Sequence, residues 1–149
     1  MTQDKEVFSQ HISQQFNAEL EEIRTQLLEM GGLVEKQVSD AVTALIEADG
    51  KLAEEVRQSD RKINDMERKI DEECMRILAR RQPAASDLRL VISITKIIVD
   101  LERIGDEASK IAKRALQLVE EGQSPRGYVE CRHIGHHVRK MVQDALDAF

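Results

Sequence analysis

The sequence predicts an all-α fold: an antiparallel three-helix bundle, similar in type to a spectrin repeat, followed by the first helix of a second such unit. Ala, Glu, Lys, Leu and Arg fill 65 of the 149 positions, a composition typical of long helices. The chain has two prolines, so few positions interrupt a helix from inside. Apolar residues recur at alternating spacings of three and four, which indicates helices with one buried face. An aromatic content of 3% without tryptophan argues against a β-sandwich.

Helix 1 is predicted from His11 to Ala48. Its apolar positions follow the three-four spacing with one exception, where Gln37 takes a place in the stripe; they are Phe16, Leu20, Ile23, Leu27, Met30, Val34, Ala41, Ala44 and Ala48. Gly31 and Gly32 lie inside this helix, where each glycine costs about 1 kcal/mol relative to alanine. Two such residues indicate close packing or a bend.

Helices 2 and 3 follow after turns marked by Asp49–Gly50 and by Pro83. Helix 2 is predicted from Leu52 to Arg80, and helix 3 from an N-cap at Ser86 to about Glu121. The inner stripe of helix 2 is expected to hold Leu52, Val56, Ile63, Met66, Ile70, Cys74 and Ile77. That of helix 3 is expected to hold Leu90, Ile94, Ile97, Leu101, Ile104, Ala108, Ile111 and Ala115.

The chain repeats itself at an offset of 104 residues. Residues 30–45 aligned with residues 134–149 match at seven of sixteen positions, including Gly31 with Gly135 and Val38 with Val142. We therefore expect a first three-helix repeat over residues 1–121, a linker at 122–127 and, over residues 128–149, the first helix of a second, incomplete repeat. On this interpretation the chain is the N-terminal fragment of a protein with two tandem units.

Composition excludes several classes of function. The net charge of −6, without a basic block or an aromatic platform, argues against binding to nucleic acid. The N-terminal residues lack a secretory signal, and the most apolar run, residues 90–99, is shorter than the roughly 20 residues of a membrane span. Cys74 and Cys131 have no CxxC spacing and are expected to be reduced thiols. These features predict a soluble, cytoplasmic protein that is not inserted in a membrane.

Acidic residues four apart mark helices 2 and 3. Glu102 and Asp106 share one face of helix 3, and Asp60 with Asn64 forms the parallel pattern on helix 2, continued by Glu67 and Asp71. Oxygen ligands from two packed helices suit Mg, Ca, Mn or iron. The alternative is an ordinary solvated helix face, with Asp106 paired to Lys110.

Three histidines cluster on helix 4, predicted at residues 128–149; they stand at positions 133, 136 and 137. His133 and His137 have the spacing of a transition-metal clip, and Glu130 with His133 matches one ExxH element of a di-iron bundle. Such a bundle requires a second ExxH element, which the sequence lacks. The histidines are expected to be exposed. The sequence contains no nucleophile elbow, phosphate loop or HExxH motif, so no motif points to an enzyme.

Several segments resemble the PhoU family, bacterial accessory proteins of phosphate signalling. They are HISQQFNAELEEIRTQLLEMGG at 11–32, ARRQPAASDLRL at 79–90, DLERIGDEASKI at 100–111 and DALDAF at 144–149. The resemblance implies two tandem three-helix units in a cytoplasmic regulator that forms homodimers or larger oligomers. It therefore agrees with the repeat found at the 104-residue offset.

The resemblance also implies a metal site, because the family has E(D)xxxD motifs that bind metal clusters on the bundle surface. Glu102 and Asp106 fit this motif, and Asp60 fits its first position on helix 2, where Asn64 replaces the expected acid. These four residues are the predicted ligands, for iron or a divalent ion such as Mg or Mn.

In function, the resemblance implies a negative regulator of the phosphate-starvation (Pho) regulon without enzymatic activity. Its partners would be the ATPase subunit of the phosphate ABC transporter and a membrane sensor histidine kinase. The alternatives are a metal-binding bundle with storage or oxidase activity and a purely structural coiled-coil protein. Helix 4 is expected to leave an apolar stripe uncovered, consisting of Ile134, Val138, Met141, Ala145 and Phe149, through which the chain would self-associate.

Overall fold

The computed structural model contains four helices: α1 (Thr2–Glu47), α2 (Gly50–Arg81), α3 (Ala85–Glu120) and α4 (Val129–Ala148). It describes the backbone of residues 2–123 and 128–149, and the side chains of residues 12–123 and 128–149. The predicted all-α fold is confirmed. Helix α1 begins well before His11, since no proline or glycine between Thr2 and His11 stops the helix. Of the predicted loop at 122–127, residues 124–127 lie outside the described residues.

The two connections within the bundle are short, and the helices that follow them, α2 and α3, have different N-caps. Asp49 caps α2, because its side chain accepts a hydrogen bond from the Leu52 N–H at 3.0 Å. The predicted N-cap at Ser86 is wrong: Ala84 is the N-cap of α3 and makes no side-chain cap hydrogen bond. The backbone hydrogen bond from Leu88 N to Ala84 O already closes the first turn, which places Ser86 inside the helix.

Helices α1, α2 and α3 pack around one core that has two parts. The first part, here called the aliphatic core, is built from large side chains: Leu20, Ile23, Leu27, Met30, Val34, Ile63, Ile70, Cys74, Ile77, Val91, Ile94, Ile98 and Leu101. The second part, here called the alanine core, holds Val38, Ala41, Ala44, Ala53, Val56, Ala108, Ala112 and Ala115. Gln37 lies where the two parts meet on α1 and is buried with them.

The core face of α3 is rotated from the predicted stripe. Val91, Ile98, Gly105 and Ala112 are buried, whereas the predicted Leu90, Ile97, Ile104 and Ile111 are only partly buried. The reason is that α3 contacts both α1 and α2, so its deepest line lies between the two contact faces. Both lines follow the three-four spacing, and the spacing alone does not separate them.

Helix α4 packs antiparallel on α1 through two glycines. A Cβ on Gly31 would lie 2.5 Å from Leu146 Cδ2, and a Cβ on Gly135 would lie 2.7 Å from both Val42 methyl carbons. These contacts are reciprocal, because Gly135 and Leu146 are the 104-residue equivalents of Gly31 and Val42. The two packing contacts are thus related by the same 104-residue offset, and the division into repeats stays a prediction. The contact with Leu146 also explains Gly31 as a close-packing position.

One ion pair lies at the centre of this reciprocal arrangement. Arg139 Nε donates to Glu35 Oε1 at 3.0 Å, and positions 35 and 139 are themselves equivalent at the 104-residue offset. Most of the predicted apolar stripe on α4 is exposed, namely Ile134, Val138, Met141 and Ala145. Phe149 instead packs against the aliphatic core, and the Arg24 guanidinium lies 5.4 Å from its ring centroid.

No helix within residues 2–123 and 128–149 is long and apolar enough to cross a membrane.

Candidate functional site

The candidate site is the partly buried acidic face where α2 packs against α3. The two helices run antiparallel, and their register is fixed near Gly105, where an added Cβ would lie 3.3 Å from Ile63 Cδ1. The four predicted ligands, Asp60, Asn64, Glu102 and Asp106, are all partly buried on these two helices. They lie on the half-buried surface next to the core, as the sequence spacing predicts.

Within this face, the negative charge of Glu102 acts on Glu67 of α2. Burial raises the pKa of the Glu67 carboxyl, and the negative charges of Glu102 and Asp71 raise it further, while Arg68 opposes the shift. The α2 carboxylate that senses Glu102 is thus Glu67, one turn beyond Asn64. Two carboxylates held together in this way favour a proton or a cation between them.

In the pattern of acidic residues, Glu67 and Asp71 stand only as a continuation of the Asp60 series. A stronger signal was present, since Glu67–Asp71 and Glu102–Asp106 both read Glu-Arg-x-x-Asp. In the antiparallel register, where Gly105 lies against Ile63, the two motifs meet only at their first residues: Glu67 lies across from Glu102, whereas Asp106 lies nearer to Asn64 than to Asp71.

The other predicted acid, Asp106, is engaged on the solvent side. Lys110 Nζ lies 2.9 Å from Asp106 Oδ2 and 2.8 Å from Glu107 Oε1, and both carboxylates raise the pKa of the lysine. The predicted pairing of Asp106 with Lys110 is therefore observed. In this arrangement the Asp106 carboxylate is partly neutralised on its own helix.

As placed, these side chains do not form a closed metal site. Among the side chains that the structure describes, no group of three or more His, Cys, Asp or Glu residues is arranged to hold a metal ion. The Glu67–Glu102 pair supplies two carboxylates, one residue fewer than such a group has. The fit to a resident metal is thus incomplete, and no chemical step is assigned to one.

Directly beneath the acidic face, Gly105 makes room for a buried amide. Gln37 is 2% exposed, its Nε2 donates to the Val56 carbonyl at 3.3 Å, and its Oε1 has no hydrogen-bond partner among the described residues. A Cβ on Gly105 would lie 2.9 Å from that Oε1. The glycine between Glu102 and Asp106 therefore lets α3 approach Gln37 of α1.

The α4 histidines do not join the acidic face. His133, His136 and His137 are exposed, as predicted, and α4 contacts α1 rather than α2 or α3. Cys74 is buried, and burial raises the pKa of its thiol to about 11, so it stays protonated at neutral pH. Neither group provides a reactive centre beside the carboxylates.

Comparison with known proteins identifies the relatives of this chain. The PhoU domain family profile matches residues 27–115. The chain is 75% identical over 146 residues to a phosphate-specific transport system accessory protein PhoU homolog of Pseudomonas putida, and 52% identical over 141 residues to the PhoU accessory protein of Escherichia coli. The match to the P. putida protein includes 98% of this chain and 57% of that protein. The match to the E. coli protein includes 95% of this chain and 58% of that protein.

The solved structures agree with the fold. The crystal structure of PhoU from Pseudomonas aeruginosa superimposes with a TM-score of 0.86 at 75% sequence identity, covering 90% of this chain and 64% of that one. The phosphate transport system regulatory protein PhoU from Streptococcus pneumoniae gives a TM-score of 0.79 at 39% identity, covering 90% and 62%. With a family match that extends over most of the three-helix bundle, the chain belongs to the PhoU domain family.

Proposed function

We propose that this chain acts as an accessory protein of a phosphate transport system, with a regulatory rather than an enzymatic role. The observation that supports this most strongly is the 75% identity to an accessory protein of that system, which extends over 98% of the chain. Because the chain spans 57% of that relative, the role of the whole protein is part of the proposal.

The finer proposal is negative regulation of the phosphate-starvation regulon from the cytoplasm. In this account the protein links the ATPase subunit of the phosphate ABC transporter to a sensor histidine kinase and holds the kinase in its inhibitory state when phosphate is plentiful. Long helices with charged outer faces suit such an adaptor, because they present extended rigid surfaces to two partners. A homodimer or larger homo-oligomer is proposed as the working form.

Co-purification tests the adaptor role. The tagged protein is expected to retain the transporter ATPase subunit and the kinase sensor domain, each expressed separately and mixed at physiological salt. A matched control is the same bait after heat unfolding, which should retain neither. Failure of the folded protein to retain both partners would contradict the bridging role.

A metal site on the acidic face is a second proposal, favoured by the effect of the Glu102 charge on Glu67 and by the packing of α2 against α3. Here Glu67 would join Asp60 and Asn64 as the α2 contribution, opposite Glu102 and Asp106, for iron, Mg or Mn. Elemental analysis of the purified protein is expected to find metal that a Glu102→Ala, Asp106→Ala variant lacks. A Glu54→Ala, Glu55→Ala variant of exposed α2 residues is the control. Equal metal content in all three proteins would remove the site.

The storage or oxidase alternative makes a different prediction. Oxygen consumption on addition of ferrous iron would favour an oxidase, whereas an adaptor should show none above the protein-free rate.

A further inference from the structure

The outer face of α3 between Leu88 and Arg103, opposite the core, combines exposed apolar residues with unpaired cations. Leu88, Ile92 and Val99 are 38%, 38% and 43% exposed, although Val91, Ile94 and Ile98 of the same segment are buried in the core. The segment is therefore apolar on both sides. A helix that is apolar all round is normally covered all round, so this outer face lacks a partner.

The exposed residues follow the spacing of a helix-binding seam. Leu88, Ile92, Thr95 and Val99 are separated by four, three and four positions, which aligns them along about 16 Å of the helix. The Thr95 hydroxyl donates to the Ile92 carbonyl at 2.8 Å and so has its hydrogen bond within the helix. The seam can therefore be covered without leaving this donor unsatisfied.

A row of cations runs beside the seam. Arg89, Lys96 and Arg103 recur every seven residues, all three are exposed, and none takes part in an ion pair between described residues. The segment also contains two acids, each beside a neighbouring helix. Glu102 interacts with Glu67 on α2, and Asp100 lines the groove towards α4. In a chain with a net charge of −6 this face is locally positive.

We propose that the outer face of α3 binds an amphipathic helix of a partner protein whose apolar stripe is flanked by Asp and Glu. The apolar seam accounts for affinity, and the three cations select a carboxylate-rich partner and its register. A membrane surface is the poorer match, because the face has no aromatic anchor and the acidic chain as a whole is repelled by anionic lipid. This inference rests on the proposed accessory role and extends it, because it names a surface on which a partner would dock.

Fluorescence anisotropy with designed peptides tests the face directly. Two labelled helical peptides of about 18 residues share one leucine stripe, flanked by Glu in the first and by Lys in the second. The Glu-flanked peptide is expected to bind the whole chain. Its affinity should fall about tenfold or more in an Ile92→Ser, Val99→Ser variant and in a Lys96→Glu, Arg103→Glu variant.

Matched controls are Met75→Ser, an exposed apolar residue of α2, and Lys113→Glu, an exposed cation further along α3. Both should bind the Glu-flanked peptide as the natural sequence does, and far-UV circular dichroism confirms that each variant is folded. Equal affinity of the face variants and the controls, equal binding of the two peptides, or no binding of either would overturn the proposal. Stronger binding to vesicles of phosphatidylethanolamine and phosphatidylglycerol than to the peptide, lost in Lys96→Glu, Arg103→Glu, would overturn it in favour of a membrane.

The same face variants separate this inference from the proposed function. If natural protein retains the transporter ATPase or the sensor domain and the face variants do so equally, the docking face is wrong and the accessory role stands. If the natural protein binds the Glu-flanked peptide through this face but retains neither partner, the accessory role fails and the face stands.

Discussion

The two parts of the bundle core achieve burial by different means. The aliphatic core fills the space between helices with large branched and unbranched side chains, whereas the alanine core fills little space and lets the helices approach one another. Stability in the first part depends on large side chains that fill the space between the helices. In the second part it depends on small side chains that allow the helices to pack closely. Removing side-chain volume is therefore expected to destabilise the first part, and adding volume is expected to destabilise the second.

The largest effect is expected from removing volume in the aliphatic core. Ile94 is fully buried, and Ile94→Ala should lower the free energy of unfolding by about 3 kcal/mol, from lost burial and the cavity left behind. Urea denaturation followed by circular dichroism measures the change. Ile92→Ala, two positions away on the exposed face, is the control and should change stability by less than about 1 kcal/mol. Equal losses for the two variants would contradict the assignment of the core face of α3.

Adding volume to the alanine core should have a smaller but clear effect. Ala112 is fully buried between helices, so Ala112→Leu should destabilise the bundle by about 2 kcal/mol through overpacking. Lys113→Leu, at the neighbouring exposed position, controls for the change in helix propensity. An unchanged or raised unfolding free energy for Ala112→Leu would mean that this part of the core is loosely packed.

The boundary between the two parts should show coupling between Gln37 and Gly105. Gly105→Ala is expected to cost about 1.5 kcal/mol, because the new methyl group would lie 2.9 Å from Gln37 Oε1. In a Gln37→Ala background the same substitution should cost much less, since its clashing partner is gone. A double-mutant cycle by urea denaturation measures this coupling. Additive effects of the two substitutions would contradict the contact.

The smallest expected effect concerns the carboxyl pair above the core. The pKa of Glu67 is raised from its ordinary value of 4.5, so the folded state disfavours the charged form. This cost is absent below the unfolded pKa and grows as the pH rises through the folded pKa. Glu67→Gln should therefore raise the Tm at pH 7, with a gain that disappears below about pH 4. Glu72→Gln, an exposed carboxylate of the same helix, should show no such dependence, and a parallel pH profile for both variants would contradict the pairing.

Much of this organisation was predictable from residue patterns. The helix number, the all-α class and the pairing of Asp106 with Lys110 follow from three-four periodicity and charge spacing. The core line of α3 was not predictable, because residues 88–99 are apolar on both faces and only packing against α1 and α2 selects one line. Tertiary register likewise decides that Glu67, rather than Asp60, faces Glu102.

The burial of Gln37 could not be predicted from the apolar pattern of α1 either. Its place in the apolar stripe of α1 looked like an interruption, yet the side chain is buried and bonded to the Val56 carbonyl. A buried amide of this kind is tolerated because α2 supplies an acceptor and Gly105 supplies space. Neither contribution is visible from the sequence of α1 alone.

The measurement that tests the functional account most directly is the activity of a phosphate-starvation promoter in the source bacterium. With the gene for this protein deleted, the account predicts that the promoter stays active in phosphate-rich medium and that the restored gene silences it again. A promoter that remains silent in phosphate-rich medium without the gene, and responds normally to starvation, would contradict the proposed regulatory role.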